Sequence, residues 1–220
     1  MLSISDANIN DDRLLLTTAE LRAAAGLTVG DTSQDATLIP LGSYVSAAIT
    51  SACKVVRAGA IPPTLRLETV TETFLFRNLQ KSLVLARRPV VEIISVTETD
   101  SLLSTDDYQT DKAAGIIYRT NGTGMYLEGV GPWSWWATGS TVVIYSAGYD
   151  EVPADLKYAA IKFIQAELAQ GTRDPLLKRL RIDGISEREW WVNPERTSVV
   201  PGEVIDILAA GGYTSGPAFA

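Results

Sequence analysis

Residues 141–169, TVVIYSAGYDEVPADLKYAAIKFIQAELA, decide the fold that this sequence predicts. The first six residues are apolar and rich in β-branched side chains, so they predict a strand, and Gly148 ends it. A charged turn follows and leads to Pro153, a residue that the first turn of a helix tolerates. The pattern beyond it predicts a helix over residues 153–170.

This predicted helix carries more apolar surface than one thin sheet would bury. Its large residues, Phe163 and Ile164 among them, cover a wide arc of the helix. The width of the arc predicts a second contact, with another copy of the chain. Phe163 and Ile164 are therefore candidates for a subunit or tail interface.

Two helices are predicted before this stretch. The first, residues 18–25, begins with the capping box Thr17-Thr18-Ala19-Glu20, in which a hydroxyl and a glutamate satisfy the first amides. The second, residues 37–58, repeats apolar residues at the helical period along one side. Ser46 and Thr50 fall on the other side, so the sequence predicts an amphipathic helix with these two residues outside.

The strands are predicted between residues 65 and 146. The segments with strand character are residues 67–76, 79–85, 90–96, 116–119, 125–128 and 141–146. Asn121-Gly122 predicts a hairpin between two of them. Because this β content is contiguous and bracketed by helices, the predicted class is α+β, a helical bundle packed with a small antiparallel β-structure.

The domain organisation is predicted as a core of residues 1–172 and an extended C-terminal arm of residues 173–220. The arm carries Lys178, Arg179, Arg181, Trp190 and Trp191, a short helical pattern at 203–209, and small final residues that predict disorder. A segment that is poor in core residues but holds two tryptophans suits ordering on a partner.

The composition excludes several classes of function. The chain has 220 residues, no histidine and one cysteine, Cys53, which removes histidine-based triads, cysteine–histidine dyads and zinc sites. The net charge of −7 argues against a general nucleic-acid binder, whose affinity rests on neutralising phosphates. No signal peptide or membrane span is predicted, which favours a cytoplasmic origin. We expect no enzyme, no cofactor and no metal.

The carboxylates admit one alternative, a metal-dependent hydrolase that uses Asp106, Asp107 and Asp111. Turns favour aspartate at such positions, and none of the three has basic partners at a motif spacing. We therefore interpret these residues as turn and surface residues.

The run Gly131-Pro132-Trp133-Ser134-Trp135-Trp136 admits three interpretations. The tryptophans could plug the edge of the sheet, anchor a subunit or tail interface, or stack on sugars. The last interpretation would make the chain a carbohydrate-binding module, which is the alternative function.

Several stretches together resemble the head–tail connector (adaptor) proteins of long-tailed bacteriophages. These are the helix with Tyr44-Val45-Ser46-Ala47-Ala48-Ile49, then Leu85-Ala86-Arg87-Arg88-Pro89-Val90 and Ile93-Ile94-Ser95-Val96, Asp107-Tyr108, Gly115-Ile116-Ile117, Val143–Tyr149 and Val152–Leu156 with the helix after it. Their order and spacing carry the resemblance, which spans most of the chain. The long arm and the tryptophan-rich run depart from the pattern.

The resemblance implies a virion structural protein, assembled in the host cytoplasm and placed at the head–tail interface. It implies a homo-oligomeric ring, commonly of twelve subunits, that docks on the portal and extends the DNA channel. A stopper or tail-completion protein would bind the opposite side, and DNA would pass without sequence-specific binding. Portal contacts would fall in the arm, with Lys178, Arg179, Arg181, Trp190 and Trp191 as candidates. Trp133, Trp135 and Trp136 would join Phe163 and Ile164 as candidates for subunit or tail contacts.

Overall fold

The structure, a computed structural model, describes residues 2–4, 13–58, 61–120, 135–171, 179–182, 186–189 and 199–214. The helices in this part are α1 (Thr18–Ala24), α2 (Asp35–Ala52), α3 (Ala154–Gly171) and α4 (Gly202–Ala210). The strands are β1 (Leu2–Ile4), β2 (Glu68–Phe76), β3 (Ser82–Val84), β4 (Val90–Glu98), β5 (Ser101–Leu102), β6 (Tyr108–Asp111), β7 (Ile116–Arg119), β8 (Gly139–Ala147), β9 (Arg179–Ile182) and β10 (Ser186–Glu189). The predicted α+β class is confirmed.

The main sheet is antiparallel and has the order β1-β2-β8-β4-β5. β8 is its central strand and pairs along its full length with β2. Gly148, directly after β8, has φ 109°, and a Cβ atom there would collide with the main chain of Arg66. Glycine ends the strand as predicted, because other residues rarely adopt this conformation and none would fit the space.

A smaller antiparallel sheet with the order β3-β7-β6 packs against one face of the main sheet. The buried residues between the two sheets are Val70, Leu83, Leu85, Val90, Val96, Ile117, Trp136, Val143, Tyr145 and Ala147. The strand segments at 67–76, 90–96, 116–119 and 141–146 are confirmed, and the 79–85 segment narrows to β3. The predicted hairpin at Asn121-Gly122 and the strand at 125–128 lie outside the described residues.

The helices pack on one another around a second core. Its fully buried members include Leu15, Leu21, Ile49, Leu156, Phe163, Ile164 and Leu208. The capping box of α1 is confirmed, since the Glu20 amide donates to Thr17 Oγ1 and the Thr17 amide donates to Glu20 Oε2. The predicted bounds of the third helix are confirmed within a residue.

The predicted bounds of the second helix, 37–58, are wrong at both ends. α2 begins two residues earlier and stops at Ala52, where Lys54 takes φ 57° and the Val55 amide donates to the carbonyl of Thr50. This is a Schellman ending with lysine at the left-handed position, where glycine is usual. The usual sequence signal for a helix end is therefore missing.

The prediction that Ser46 and Thr50 lie on the outside of α2 is wrong, since both are buried. Their hydroxyls are satisfied in the interior: the Leu15 amide donates to Ser46 Oγ at 3.1 Å, and Thr50 Oγ1 donates to the Ser46 carbonyl at 2.7 Å. The first bond attaches the segment before α1 to α2, and the second lies within α2. Small hydroxyl side chains can therefore be buried in a core when their hydrogen bonds are satisfied there.

Residues 199–214, which the sequence places in the C-terminal arm, pack against the helical core. The helical pattern at 203–209 is confirmed as α4, and its Val204 and Leu208 are buried in the helical core together with Val200. The Tyr213 hydroxyl donates to the Asp155 carboxylate at the start of α3, at 2.8 and 2.9 Å. Between α3 and α4, the described residues form only the hairpin of β9 and β10.

No helix among the described residues is long and apolar enough to cross a membrane.

Candidate interaction surfaces

Trp136 is a plug in the β-structure, as one of the three interpretations predicted. Its side chain is fully buried between the sheets, and Nε1 donates to the Ile117 carbonyl at 3.3 Å. Its main chain forms a bridge with Gln80. Trp136 is thus a core residue, which corrects its assignment to an interface and removes it from any sugar-stacking surface.

Trp135 is partly exposed, and the ammonium of Lys81 lies 5.3 Å from the centre of its ring. This distance fits a cation–π contact. Trp135 therefore stays a candidate for a subunit or tail contact, and Trp133 lies outside the described residues.

Phe163 and Ile164 are core residues, which corrects their assignment as surface candidates. Both are no more than 1% exposed within the single chain. The exposed Tyr44 on α2 covers Phe163 from outside, with 6.1 Å between ring centres. The wide apolar arc of α3 is explained by its own neighbours, because α1, α2 and α4 all pack on it.

The candidates in the arm are only partly within the described residues. Arg179 and Arg181 lie in β9, which pairs with β10 in a separate two-stranded sheet. Lys178, Trp190 and Trp191 lie outside the described residues.

The aspartates of the hydrolase alternative have separate local roles. Asp107 accepts from the Ser104 amide at 2.9 Å and lies 3.6 Å from Arg119 Nη1. Asp111, at the other end of β6, accepts from the Ala114 amide at 2.9 Å. Within the described residues, no group of three or more acidic or cysteine side chains is placed to hold a metal ion.

A buried ionic cluster, which the sequence patterns did not reveal, joins the N-terminal segment to the main sheet. Glu68 is 6% exposed and accepts from Arg13 Nη2 and from Arg87 Nε, each at 2.9 Å. The Tyr145 hydroxyl donates to Glu72 at 3.0 Å and accepts from the Arg87 amide. Burying these charges is costly unless they pair, so the cluster fixes one arrangement of its three segments.

The strand register defines an exposed face of the main sheet, which we call the outer sheet surface. Residues opposite each other on neighbouring strands share a face, and the face away from the inter-sheet core carries the alternate residues. They are Ser3, Thr69, Thr71, Thr73, Leu75, Glu92, Ser95, Thr97, Leu102, Ser140, Val142, Ile144 and Ser146. Glu92 is the single charged residue among them.

The composition of the outer sheet surface is typical of a protein contact. Leu75 is 76% exposed and Leu102 is 71% exposed, whereas Val142 and Ile144 are half-buried on the strand between. Charged residues are depleted from the centres of protein interfaces, whereas a solvated sheet face usually carries them. The surface is formed by long-range strand pairing, which is why no single stretch of sequence displays it.

The solvent side of α2 is another surface with little charge. Its exposed residues are Ala36, Thr37, Ile39, Pro40, Ser43, Tyr44, Ala47 and Ser51. The sequence has no charged residue between Asp35 and Lys54. A helix side that faces only water usually carries charged residues, so this side also suits a protein contact.

The chain is similar to known proteins at the level of the fold. No family model matches it, and no curated protein matches it in sequence. A chain from the neck of an empty gene transfer agent (GTA) particle, computed with C6 symmetry, is similar, with a TM-score of 0.53 and 16% identity over 82% of this chain and 89% of that chain. A chain from the virion of the native GTA particle aligns with a TM-score of 0.48 and 18% identity over 84% of this chain and 88% of that chain.

Proposed function

We propose that the protein is a structural component of the neck of a tailed, phage-like particle and has no enzymatic role. The observation that carries this proposal is the fold shared with a chain from the neck of a gene transfer agent particle, along most of both chains. The ordered sequence motifs of the head–tail connector family support it independently. In the particle, the protein would form a ring under the portal and link the capsid to the tail through a stopper or tail-completion protein.

The two surfaces that are poor in charge support the assembly of a ring. A closed ring needs two different patches on each subunit, one for each neighbour. The outer sheet surface and the solvent side of α2 lie on separate elements and are both poor in charge, so they supply two such patches. A ring of twelve is compatible with the six-fold symmetry of the neighbour's particle, because twelve is a multiple of six.

The charge of the chain suits a channel for DNA. The net charge of −7 disfavours adhesion of phosphates, so a genome could slide past the ring without binding to it. Sequence-specific recognition is not part of this function. The proposed location is the virion, after assembly in the host cytoplasm.

The proposed portal contact lies in the C-terminal arm, residues 173–220. Lys178, Arg179 and Arg181 would pair with acidic groups of the portal, and Trp190 and Trp191 would anchor the contact as buried aromatics do in interfaces. All five candidates precede α4, which packs in the helical core.

The alternative function, a carbohydrate-binding module, would rest on Trp133 and Trp135, because Trp136 is buried in the core. The neck function is preferred because the shared fold supports it.

The test is co-sedimentation of the purified chain with the portal protein of the same particle. A double variant, Trp190→Ala with Trp191→Ala, is expected to lose portal binding while its circular dichroism and Tm stay unchanged. Arg77→Glu, which changes an exposed arginine of the β-structure, is the control and should bind as the parent does. Portal binding that survives the double variant would refute the assignment of the arm.

A further inference from the structure

A cleft of about 470 Å³ lies where the helical bundle meets the β-structure. Its walls come from residues 53–55, 64–65, 86–89, 113–114, 116, 147–149 and 211–213. Seven of these residues are alanine or glycine, so small side chains leave the space open. The volume falls in the range of sites that bind ligands or parts of a partner.

The charge of the cleft is opposite to that of the whole chain. Lys54, Arg87 and Arg88 line it, and among the described residues no aspartate or glutamate does. The chain as a whole carries −7. The nearby Asp155 carboxylate is not part of the lining, and it accepts hydrogen bonds from the Tyr213 hydroxyl. The cleft therefore favours an anionic ligand.

Arg87 is an incompletely paired cation in the wall of this cleft. It is 3% exposed, and its Nε donates to Glu68 at 2.9 Å. Nη1 and Nη2 are buried and have no hydrogen-bond acceptor among the described residues. A buried donor without an acceptor destabilises the folded state, because it has lost its hydrogen bonds with water. An acceptor that binds nearby would therefore increase the stability of the fold.

The shape and the apolar part of the lining indicate the kind of ligand. Val55, Leu65 and Ile116 line the cleft beside the rings of Tyr149 and Tyr213. A nucleic acid would need a broad basic surface rather than a small concave site on an acidic protein. A peptide segment with both acidic and aliphatic side chains matches the lining.

We propose that this cleft binds an acidic segment of a partner protein. A carboxylate of the segment enters between Lys54 and Arg88, and the buried cation of Arg87 in the wall adds to its attraction. Aliphatic side chains of the segment pack on Leu65 and Ile116. The site goes beyond the neck function and does not depend on it.

The probe is a fluorescently labelled peptide of alternating glutamate and leucine, titrated with the full chain and followed by anisotropy. A peptide with lysine in place of glutamate, inorganic phosphate and a short single-stranded DNA are the comparison ligands. We expect the acidic peptide to bind and the other three neither to bind nor to compete. Failure of the acidic peptide to bind, or equal competition by phosphate or DNA, would overturn the proposal.

Two variants leave the buried Glu68–Arg87 contact in place and test the location. Arg88→Glu reverses a charge in the lining and should weaken binding about ten-fold or more, the usual loss for a charge-assisted hydrogen bond. Ala114→Trp fills the space and should weaken binding by excluding the segment. Arg77→Glu makes the same charge change outside the cleft and should leave binding unaltered. Binding that is unchanged in both cleft variants would place the peptide elsewhere. Ring formation and portal binding by Arg88→Glu would remain intact, which separates this test from that of the neck function.

Discussion

Phe163 shows how a wide apolar arc on a helix can be accounted for within one chain. It is completely buried, and the Tyr44 ring lies over it. We expect Phe163→Ala to reduce the free energy of unfolding by about 3–5 kcal/mol, because a large cavity would remain. Tyr158→Ala on the same helix, where the ring is half exposed, should cost less than about 1 kcal/mol. Urea unfolding measures both, and a small loss for Phe163→Ala would argue that this core is not closed in the single chain.

Glu72 gives a prediction that depends on pH. Burial raises the pKa of its carboxyl, and the bonds from the Ala86 amide and the Tyr145 hydroxyl lower it by less. A carboxyl with a raised pKa stabilises the fold below its unfolded pKa of about 4.3, and this contribution is lost as the pH rises through the folded value. Glu72→Gln keeps an acceptor without the charge.

We therefore expect the free energy of unfolding of Glu72→Gln, relative to the parent chain, to increase as the pH rises from about 4 to about 7. Urea titrations at several pH values measure this difference. A difference that falls with pH would mean that the folded protein stabilises the ionised carboxylate.

At the scale of elements, the end of α2 carries a specific prediction. Lys54 holds a left-handed conformation with φ 57°, which costs an ordinary residue roughly 1–2 kcal/mol. Lys54→Gly should raise the free energy of unfolding by about 0.5–1 kcal/mol, since glycine adopts this conformation freely but loses more entropy on folding. Lys54→Ala, the control, should give no gain. Equal effects of the two changes in thermal unfolding would exclude the backbone as the cause.

The elements that could be predicted from sequence are those whose signals are local. The capping box before α1, the proline before α3 and the glycine after β8 each act within a few residues, and each prediction is confirmed. The lysine at the end of α2 lacks such a signal. β1 and β5, three and two residues long, exist only through their pairing with longer strands, so no periodicity could reveal them.

The candidate surfaces were harder to predict for the same reason. Ile144 belongs to the stretch that predicts the fold, but its position on an uncharged surface follows from its register with Ser95 and Thr71. In the sequence, Arg87 is recognised only as part of a short motif. Its contact with Glu68, which lies 19 residues away, could not be predicted from that motif. The tryptophan run shows the same limit, because its composition left a plug, an interface and a sugar site open, and the contacts of Trp136 decide for a core residue at that position.

The outer sheet surface yields a prediction at the scale of the whole molecule. Ile144→Glu would place an unpaired charge in the middle of a subunit contact, which costs several kcal/mol if it is buried there. We expect association to weaken by more than about ten-fold while the variant stays folded, as sedimentation velocity and circular dichroism would show. Val29→Glu, which puts the same charge on an exposed valine of the loop before α2, should assemble normally. Normal assembly of Ile144→Glu would place the subunit contact on another face.

Within the described residues, the molecule combines two closed cores with surfaces that are poor in charge. Both cores are closed within one chain, and the surfaces suit contacts with partners. A structural neck subunit requires both properties, because it must fold before it assembles and then bind neighbours on several sides.

The most direct measurement is negative-stain electron microscopy of the purified chain mixed with the portal protein of the same particle. We predict closed rings of this chain seated coaxially on the portal, with a central opening wide enough for duplex DNA. A chain that stays monomeric at high concentration and never binds the portal would contradict the proposed function.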